Sequence, residues 1–305
     1  MNGRGCLHRS GCIGILINVR EAYPTVQEKS VLITGCSSGI GRCLALNLHA
    51  RGYRVFASVK QEKDVEALRA QGVSSLVLDL RSSDSINSAV DSVLAATNGR
   101  LDALINNGAY GLPGAVEDLS REALRLQFET NVFGTHELTC RVLPAMRRQK
   151  SGRIVQISSL LGIVCLAYRG AYSASKFALE ALTDTLRLEL AGSGIHIALI
   201  EPGPIATRFR DNAYIAYKQF INKQYSFHRD YYEKVERRLE GSKPLPFTLP
   251  AEAVLKPVLH VLEAARPRLR YPVTAPAHLF TWLRRLLPGR GLDKVMMKVS
   301  GGGQR

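Results

Sequence analysis

Short apolar runs alternate with amphipathic stretches along most of this chain. The apolar runs predict strands at residues 30–34, 54–59, 75–78, 101–105, 153–158 and 196–201. Between them, apolar positions recur every three or four residues and predict helices at residues 39–51, 61–71, 82–98, 120–148 and 171–190. Apolar strands that alternate with helices are typical of a parallel sheet covered on both faces. The pattern therefore predicts a single-domain α/β fold with a Rossmann-like, doubly wound parallel sheet.

The two ends of the chain lie outside this pattern. Residues 1–28 precede the first predicted strand, and we expect them to form a partly disordered N-terminal extension. Residues 264–305 carry nine Lys and Arg but one acid, in a chain of net charge +15. Residues 277–287 are amphipathic and could lie on a membrane surface, pack over the substrate site or contact another subunit; we do not favour the membrane. No zinc-finger or helix-turn-helix pattern accompanies the charge, so we predict no nucleic-acid partner.

A glycine-rich turn follows the first predicted strand, in the sequence VLITGCSSGIGR at residues 31–42. Its glycines are Gly35, Gly39 and Gly41. Glycine permits a tight turn and close approach to the backbone, and the N–H groups that begin the next helix can bind pyrophosphate. At this place in an α/β pattern, such a turn indicates a dinucleotide site.

The end of the second strand indicates which dinucleotide binds. An acid there usually binds the ribose hydroxyl groups of NAD, whereas a basic residue favours the 2′-phosphate of NADP. Here Val59 cannot accept a hydrogen bond from ribose, while Lys60 can pair with phosphate and Ser38 could assist it. The sequence therefore predicts NADP(H). The alternative is that Lys60 is a surface lysine and that Arg42 or Lys63 binds the phosphate.

Tyr172 and Lys176 are four residues apart on a predicted helix, so their side chains share one face. A nearby lysine cation favours phenolate and lowers the pKa of a tyrosine, which makes the tyrosine usable as an acid or base near neutral pH. Ser158 and Ser159 end the preceding strand and could hold a carbonyl oxygen beside Tyr172.

These motifs together resemble those of the short-chain dehydrogenase/reductase family over about residues 29–265. TGCSSGIG at residues 34–41 resembles its cofactor turn, and NVFG at residues 131–134 resembles the helix that bears its fourth catalytic residue. PGPIAT at residues 202–207 resembles the segment that meets the nicotinamide, and Asp79-Leu80 the adenine contact. Ser159 has the family spacing to Tyr172, so we choose it over Ser158.

The resemblance implies that hydride passes between a nicotinamide and a carbonyl carbon. Tyr172 would exchange a proton with the substrate oxygen, Ser159 would hydrogen-bond that oxygen, and Lys176 would hold the nicotinamide ribose and tune Tyr172. Asn131 would position a water that links Lys176 to solvent. The cofactor contacts predicted from the motifs and the resemblance are Gly35, Ser37, Ser38, Gly39, Ile40, Gly41, Lys60, Asp79, Leu80, Asn107, Gly108, Ala109, Tyr172, Lys176, Pro202, Gly203, Ile205 and Thr207.

Residues 208–247 contain nine aromatic residues, and the matching segment of the family is a variable lid over the substrate. An aromatic lid favours a lipophilic carbonyl substrate, although the rings could equally pack the lid onto the core. The chain resembles the bacterial NADP-dependent aldehyde reductases of the family and their relatives that act on retinoids and 17β-hydroxysteroids. We therefore predict NADPH-dependent reduction of a lipophilic aldehyde or ketone. The alternatives are an NADP-dependent steroid or retinoid alcohol dehydrogenase and a non-catalytic NADP-binding sensor or scaffold.

The resemblance also predicts the organisation of the protein. Residues 29–275 would form the catalytic domain, with a substrate lid at about 207–250, and residues 276–305 a basic amphipathic segment. The helices at 120–148 and 171–190 would form the interface of a homodimer or homotetramer. The six cysteines form no CxxC pair and have no histidine at ligand spacing, which predicts no metal and a cytoplasmic location with reduced thiols.

The stretch NNGAYG at residues 106–111 departs from the family, which usually reads Asn-Asn-Ala-Gly. Gly108 and Ala109 stand in the exchanged order, after the fourth predicted strand. If the family backbone requires a positive φ at the second position, Ala109 is strained. We expect the turn to accommodate the exchange with at most a modest effect on cofactor affinity.

Overall fold

The structure is a computed structural model that describes residues 29–240 and 246–300. The predicted extension at residues 1–28 lies outside the described residues. The same holds for positions 241–245 of the predicted lid and for the last five residues of the C-terminal segment.

A parallel sheet forms the centre of the protein, as predicted. In the described part of the chain it has seven strands in the order β3-β2-β1-β4-β5-β6-β7. The strands are β1 Ser30–Ile33, β2 Arg54–Val59, β3 Ser74–Val77, β4 Ala103–Asn106, β5 Gly152–Ile157, β6 Ile195–Glu201 and β7 Arg270–Pro272.

Helices cover both faces of this sheet. They are α1 Gly39–His49, α2 Lys63–Arg69, α3 Ser83–Ala96, α4 Arg121–Phe128, α5 Thr135–Gln149, α6 Gly170–Glu189, α7 Phe209–Phe220, α8 Arg229–Glu240, α9 Leu255–Glu263, α10 Ala275–Leu286 and α11 Gly289–Val299. Successive residues of a strand point to opposite faces. Val31 and Ile33 therefore belong to the core beneath α1 and α9, whereas Leu32 belongs to the core beneath α3 and α5.

Two features of the fold were not foreseen. The predicted helical stretch over residues 120–148 is confirmed by α4 and α5, but a π-helical segment, Glu129–Gly134, lies between them. The strand β7 was not predicted at all, because it is short and ends in a proline. Its Arg270 and Tyr271 align with Leu199 and Ile200 of β6.

The lid and the C-terminal helices pack on the carboxyl side of the sheet. Tyr217 of α7 and Tyr232 of α8 are buried with Leu112 and Ala171, so these lid rings hold the lid on the core. Helices α10 and α11 bury their apolar residues on Leu160 and on Val164. Among the described residues, none of the helices is both long enough and apolar enough to cross a membrane.

Candidate active site

The glycine turn has the backbone that a dinucleotide site requires. Gly35 and Gly39 have φ angles of +72° and +58°, a region that residues with a side chain rarely adopt. A Cβ at Gly41 would collide with the carbonyl oxygen of Gly35. Ser38 precedes α1 in an extended conformation and its side chain does not cap the helix. The first N–H groups of α1 are thus left without a side-chain cap, as anion binding at a helix N-terminus requires.

The two asparagines after β4 hold different parts of the fold together. The amide of Asn106 donates to Thr139 of α5 over 2.9 Å. The amide of Asn107 donates to the carbonyl oxygens of Thr34 and Gly35 over 2.8 and 3.1 Å. The hydroxyl oxygen of Thr34 accepts the backbone N–H groups of Asn107 and Gly108 over 2.9 and 2.8 Å. These bonds fasten the end of β4 to the glycine turn.

Ala109 is not strained, because its φ angle is not positive, and neither is that of Gly108. The expected accommodation of the exchanged order is confirmed for the backbone. A Cβ at position 108 would instead lie 3.1 Å from Cδ1 of Leu80 and 3.2 Å from the hydroxyl oxygen of Thr34. Glycine at position 108 therefore lets the chain after β4 pack closely against Thr34, which follows β1, and against Leu80.

Lys60, Asp79 and Arg81 meet at the ends of β2 and β3. The Nζ of Lys60 lies 3.6 Å from a carboxylate oxygen of Asp79, and an Nη of Arg81 lies 2.9 Å from the same oxygen. Burial raises the pKa of Asp79, but the hydrogen bonds from Arg81 and the charges of Lys60 and Arg81 lower it below its ordinary value. Arg81 was missed by sequence reasoning; its position two residues after Asp79 was the available signal.

Tyr172, Ser159 and Lys176 come together as predicted, and two of the three are buried. Tyr172 and Lys176 are 9% and 3% exposed, and the lysine Nζ lies 5.8 Å from the centroid of the tyrosine ring. The side chain of Ser159 lies close enough to the Tyr172 hydroxyl to act on its pKa. The Nζ of Lys176 donates to the carbonyl oxygen of Ile157 over 2.7 Å.

Burial sets the acidity of this pair. It raises the pKa of Tyr172 to about 12, against an opposing effect of the Ser159 side chain. The prediction that Lys176 gives this tyrosine a lowered pKa is wrong for this structure, because burial outweighs it. Burial also lowers the pKa of Lys176 to about 8, against a raising effect of Glu180. At neutral pH the tyrosine is a phenol beside a cationic lysine.

Asn131 lies in the π-helical segment, 1% exposed, with its side chain fully bonded. Its oxygen accepts the N–H of Tyr110 over 3.1 Å, and its nitrogen donates to the Tyr110 carbonyl and the Ser175 hydroxyl over 2.9 and 3.0 Å. Ser175 in turn donates to the carbonyl oxygen of Tyr172 over 2.8 Å. π-Helical turns are frequent at functional sites. This one turns the Asn131 side chain onto the backbone around Tyr172.

Gln127 supports the same loop and was also missed by sequence reasoning. It is fully buried, accepts the N–H of Leu112 over 2.8 Å and donates to the Tyr110 carbonyl over 2.7 Å. Asn131 and Gln127 together fix residues 110–112 between the glycine turn and Tyr172. Gln127 lies outside the motifs described above, so no motif indicated it, whereas Ser175 stands directly before Lys176, and that position was the available signal for it.

The predicted nicotinamide segment also lies beside the glycine turn. A Cβ at Gly39 would come within 2.9 Å of the Thr207 side chain. The carbonyl oxygen of Pro202 accepts the N–H of Leu160 over 2.8 Å, next to Ser159. A Cβ at Gly203 would collide with the hydroxyl of Thr274, so this glycine allows close contact with the start of α10. Ile205 forms a bridge with Leu249 on the far side of the lid.

Hydrogen bonds and stacked rings fasten the lid to the rest of the protein. Asp118 accepts hydrogen bonds from Ser226 over 2.6 Å and from Tyr232 over 2.5 Å. Tyr168 stacks on Tyr231 with ring centroids 3.5 Å apart. Other lid rings remain in solvent: Tyr225 and Phe247 are 89% and 69% exposed. The lid aromatics thus divide between packing and exposed positions.

Among residues 29–240 and 246–300, no group of three or more His, Cys, Asp or Glu is placed to hold a metal ion. The cysteines in those ranges are unpaired, with Cys36 and Cys43 buried and Cys140 and Cys165 exposed.

Comparison with known proteins identifies the family. A family model described as short chain dehydrogenase matches residues 29–217. The chain is 44% identical over 275 residues to an uncharacterized oxidoreductase of Escherichia coli, YbbO, which covers 89% of this chain and 95% of that protein. It is 34% identical over 260 residues to human retinol dehydrogenase 8, which covers 79% of this chain and 80% of that protein.

Two further matches extend the comparison. An NADPH-dependent 3-dehydrocapnine reductase of Ornithobacterium rhinotracheale is 30% identical over 275 residues, covering 88% of this chain and 95% of that protein. The crystal structure of a short-chain dehydrogenase from Streptomyces avermitilis superposes with a TM-score of 0.70 at 29% identity, covering 90% of this chain and 96% of that one.

Proposed function

The chain belongs to the short-chain dehydrogenase/reductase family, and we propose that it is an NADPH-dependent oxidoreductase that reduces a lipophilic aldehyde or ketone to the alcohol. The observation that carries the proposal is the buried phenol of Tyr172, with the Ser159 side chain acting on it and the Lys176 ammonium close to its ring. It supplies a proton donor, a hydroxyl for the substrate oxygen and a stabilising cation in one place.

The residues around the glycine turn fit a dinucleotide, because a side chain at Gly41 would fill the space between turn and helix. The preference for NADP is supported by Lys60 and Arg81, two cations at the edge where the adenosine ribose would bind. Val59, which ends β2, offers no carboxylate there. An NADPH-dependent relative supports the same choice.

The geometry supports reduction. Bound NADPH would supply the hydride for the carbonyl carbon. Tyr172 would donate its phenolic proton to the carbonyl oxygen, since burial keeps this group protonated at neutral pH. The ammonium of Lys176 would stabilise the phenolate that remains, and Ser159 would hold the substrate oxygen within reach of Tyr172. Asn131 would hold the backbone around Tyr172 through the bonds of its side chain to Tyr110 and Ser175.

The lipophilic substrate class is supported by the lid. Phe209, the first residue of α7, packs its ring beside that of Tyr172. The similarity to retinol dehydrogenase 8 favours oxidation of a retinoid or steroid alcohol as a second candidate function. The direction of turnover at cellular cofactor ratios separates the two functions.

An NADPH-oxidation screen across aliphatic and aromatic aldehydes, retinal and ketosteroids tests the proposal. We expect turnover with a lipophilic carbonyl, preference for NADPH over NADH, and loss of turnover in Tyr172→Phe with NADPH binding retained. Turnover by Tyr172→Phe would contradict the role of the tyrosine, and preference for NADH would contradict the cofactor. A protein that binds NADPH but reacts in neither direction would instead be a sensor or scaffold.

We also propose that residues 29–275 form the catalytic domain, with its substrate lid at about 207–250, and that the protein is a cytoplasmic homodimer or homotetramer. Phe133 and Leu188 are 51% and 71% exposed on the helical segments of the expected interface. The exposed free thiols of Cys140 and Cys165 fit a reducing compartment. Light scattering of the purified protein measures the oligomeric state; a monomer would contradict the interface.

A further inference from the structure

A group of charged side chains lies behind the Tyr172–Lys176 pair. Arg270 of β7 donates to Glu180 of α6 and, over 2.6 Å, to Glu201 at the end of β6. It also donates to Asp184 of α6 over 2.5 Å. Glu180 and Glu201 are 6% and 0% exposed, whereas the side chain of Asp184 is 39% exposed. We call these four residues the Arg270 cluster.

Glu180 connects this cluster to the proposed catalytic residues. It follows Lys176 by one turn of α6, and the charge of its carboxylate acts on the lysine. A Cβ at Gly162 would lie 3.0 Å from Cγ of Glu180 and 2.8 Å from the hydroxyl of Ser158. The glycine therefore leaves the space that the Glu180 side chain fills beneath the loop after Ser159.

Lys176 needs an opposite charge in this position. It is 3% exposed, and the hydrogen bond described above goes to a neutral carbonyl oxygen. A buried cation without a counter-charge loses its proton or leaves its site. Glu180 supplies a negative charge, and Arg270 fixes the carboxylate that carries it.

We propose that Glu180 is a positioning residue for Lys176. The carboxylate of Glu180 keeps the lysine cationic, and Arg270, which also bonds to Glu201, holds that carboxylate in place. The inference rests on the proposed function only where it concerns turnover. Because Glu201 directly precedes Pro202, the Arg270 cluster also ties α6 to the start of the segment expected to meet the nicotinamide.

Several charged groups face Glu180, and their signs determine the direction in which the pKa of Lys176 shifts when the Glu180 carboxylate is removed. Lys176 and Asp184 lie on its own helix, Glu201 and Arg270 face it from β6 and β7, and Arg285 of α10 acts on Glu201. From the β5 side, Ser158 contributes a hydroxyl but no charge. Removing the Glu180 carboxylate removes a negative charge, which lowers the pKa of the lysine and of the tyrosine alike.

The first experiment titrates Lys176 without any substrate. Protein labelled with 13C-lysine is titrated by NMR, and Lys176→Arg identifies the signal. In Glu180→Gln we expect the pKa of Lys176 to fall by about one pH unit. Glutamine keeps an oxygen for Arg270, which also retains Glu201 and Asp184, so we expect a folded protein, checked by thermal unfolding. Asp184→Asn is the matched control. It removes an equal negative charge from the partners of Arg270, at a position one turn of α6 farther from Lys176 than Glu180 is.

The second experiment follows turnover. In Glu180→Gln the alkaline limb of the kcat profile moves to lower pH, because a neutral lysine no longer stabilises the phenolate. Glu180→Asp keeps the negative charge, so we expect the pKa of Lys176 and the alkaline limb of the kcat profile to stay near those of the native protein. An unchanged Lys176 titration in Glu180→Gln would overturn the inference, as would an equal fall in Asp184→Asn or Glu180→Asp. The NMR result decides this even if no carbonyl compound is reduced, so failure of the proposed function stays distinguishable.

Discussion

The ring of Phe209 packs against the ring of Tyr172, with centroids 5.3 Å apart and planes inclined by 61°. Phe209 begins α7, the first helix of the lid, and is 37% exposed. A Cβ at Gly111 would lie 2.8 Å from the Phe209 ring and 3.2 Å from the Tyr172 ring. The lid therefore places an apolar surface directly beside the proposed proton donor, in a space that Gly111 keeps open.

This contact predicts a role for Phe209 in substrate binding. In Phe209→Ala we expect KM for a long-chain or aromatic aldehyde to rise about tenfold, which corresponds to roughly 1.4 kcal/mol of lost apolar contact. The NADPH dissociation constant should change little. Steady-state kinetics over a series of aldehyde chain lengths measures the effect.

Tyr225→Ala provides the control, because this lid aromatic is 89% exposed and its removal should leave KM unchanged. An equal rise in KM for short and long aldehydes would show that Phe209 shapes Tyr172 rather than the substrate site.

Lys60 and Arg81 predict the cofactor preference. Lys60→Ala or Arg81→Ala should weaken NADPH binding at least tenfold, about 1.4 kcal/mol, and leave NADH binding nearly unchanged, because only NADPH carries the 2′-phosphate. Fluorescence titration with both cofactors measures this. Lys63→Ala is the matched control from the neighbouring helix α2. A larger effect of Lys63→Ala on NADPH binding would show that Lys63, rather than Lys60, contacts the 2′-phosphate.

The central strands of the sheet could be predicted from the sequence because strands that are buried on both faces carry few polar positions. Val31, Leu32 and Ile33 are apolar in succession, and each belongs to a core that a helix covers. The π-helical segment escaped prediction because Glu129–Gly134 continues the apolar spacing of α4 into α5. A π-helical turn differs from an α-helical one in which carbonyl oxygen each N–H group bonds to, and the spacing of apolar residues does not report that difference.

The candidate site likewise contains residues that local motifs predicted and contacts that only the three-dimensional fold creates. Motifs with fixed local spacing brought Tyr172 and Lys176 to one helix face. The Arg270 cluster was not predictable, since Arg270 and Glu180 are 90 positions apart and meet only through the sheet order. The raised pKa of Tyr172 was missed for a related reason: burial depends on the lid and α6 together, and no local spacing reports it.

The order of Gly108 and Ala109 predicts a small effect on cofactor binding. Because neither residue has a positive φ, the double substitution Gly108→Ala with Ala109→Gly should change the NADPH dissociation constant by less than tenfold, about 1.4 kcal/mol. The single variant Gly108→Ala should be less stable than the native protein, since its methyl group meets Leu80 and Thr34. Thermal unfolding and fluorescence titration measure the two effects. A larger change in affinity would place the methyl group of Ala109 against the cofactor.

Glu180 predicts how stability depends on pH. Burial is the main cause that raises its pKa to about 7 from an ordinary value of 4.5, and Glu201 adds to the shift. A carboxyl group with a raised pKa in the folded state stabilises the fold below its unfolded pKa, and this contribution is lost as the pH rises through the folded value. The loss therefore falls between about pH 4.5 and pH 7.

Glutamine at this position does not titrate, so the Glu180→Gln variant does not undergo this loss of stability. Relative to that of the native protein, the free energy of unfolding of Glu180→Gln should therefore increase by on the order of 1–3 kcal/mol between pH 4.5 and pH 8, which means that the variant gains relative stability. Urea unfolding of both proteins across this range measures the difference, and the other titrating groups cancel. Glu189→Gln, which changes an exposed residue at the end of α6, should remain parallel to the native protein. Parallel curves for Glu180→Gln as well would mean that Arg270 keeps Glu180 ionised throughout this range.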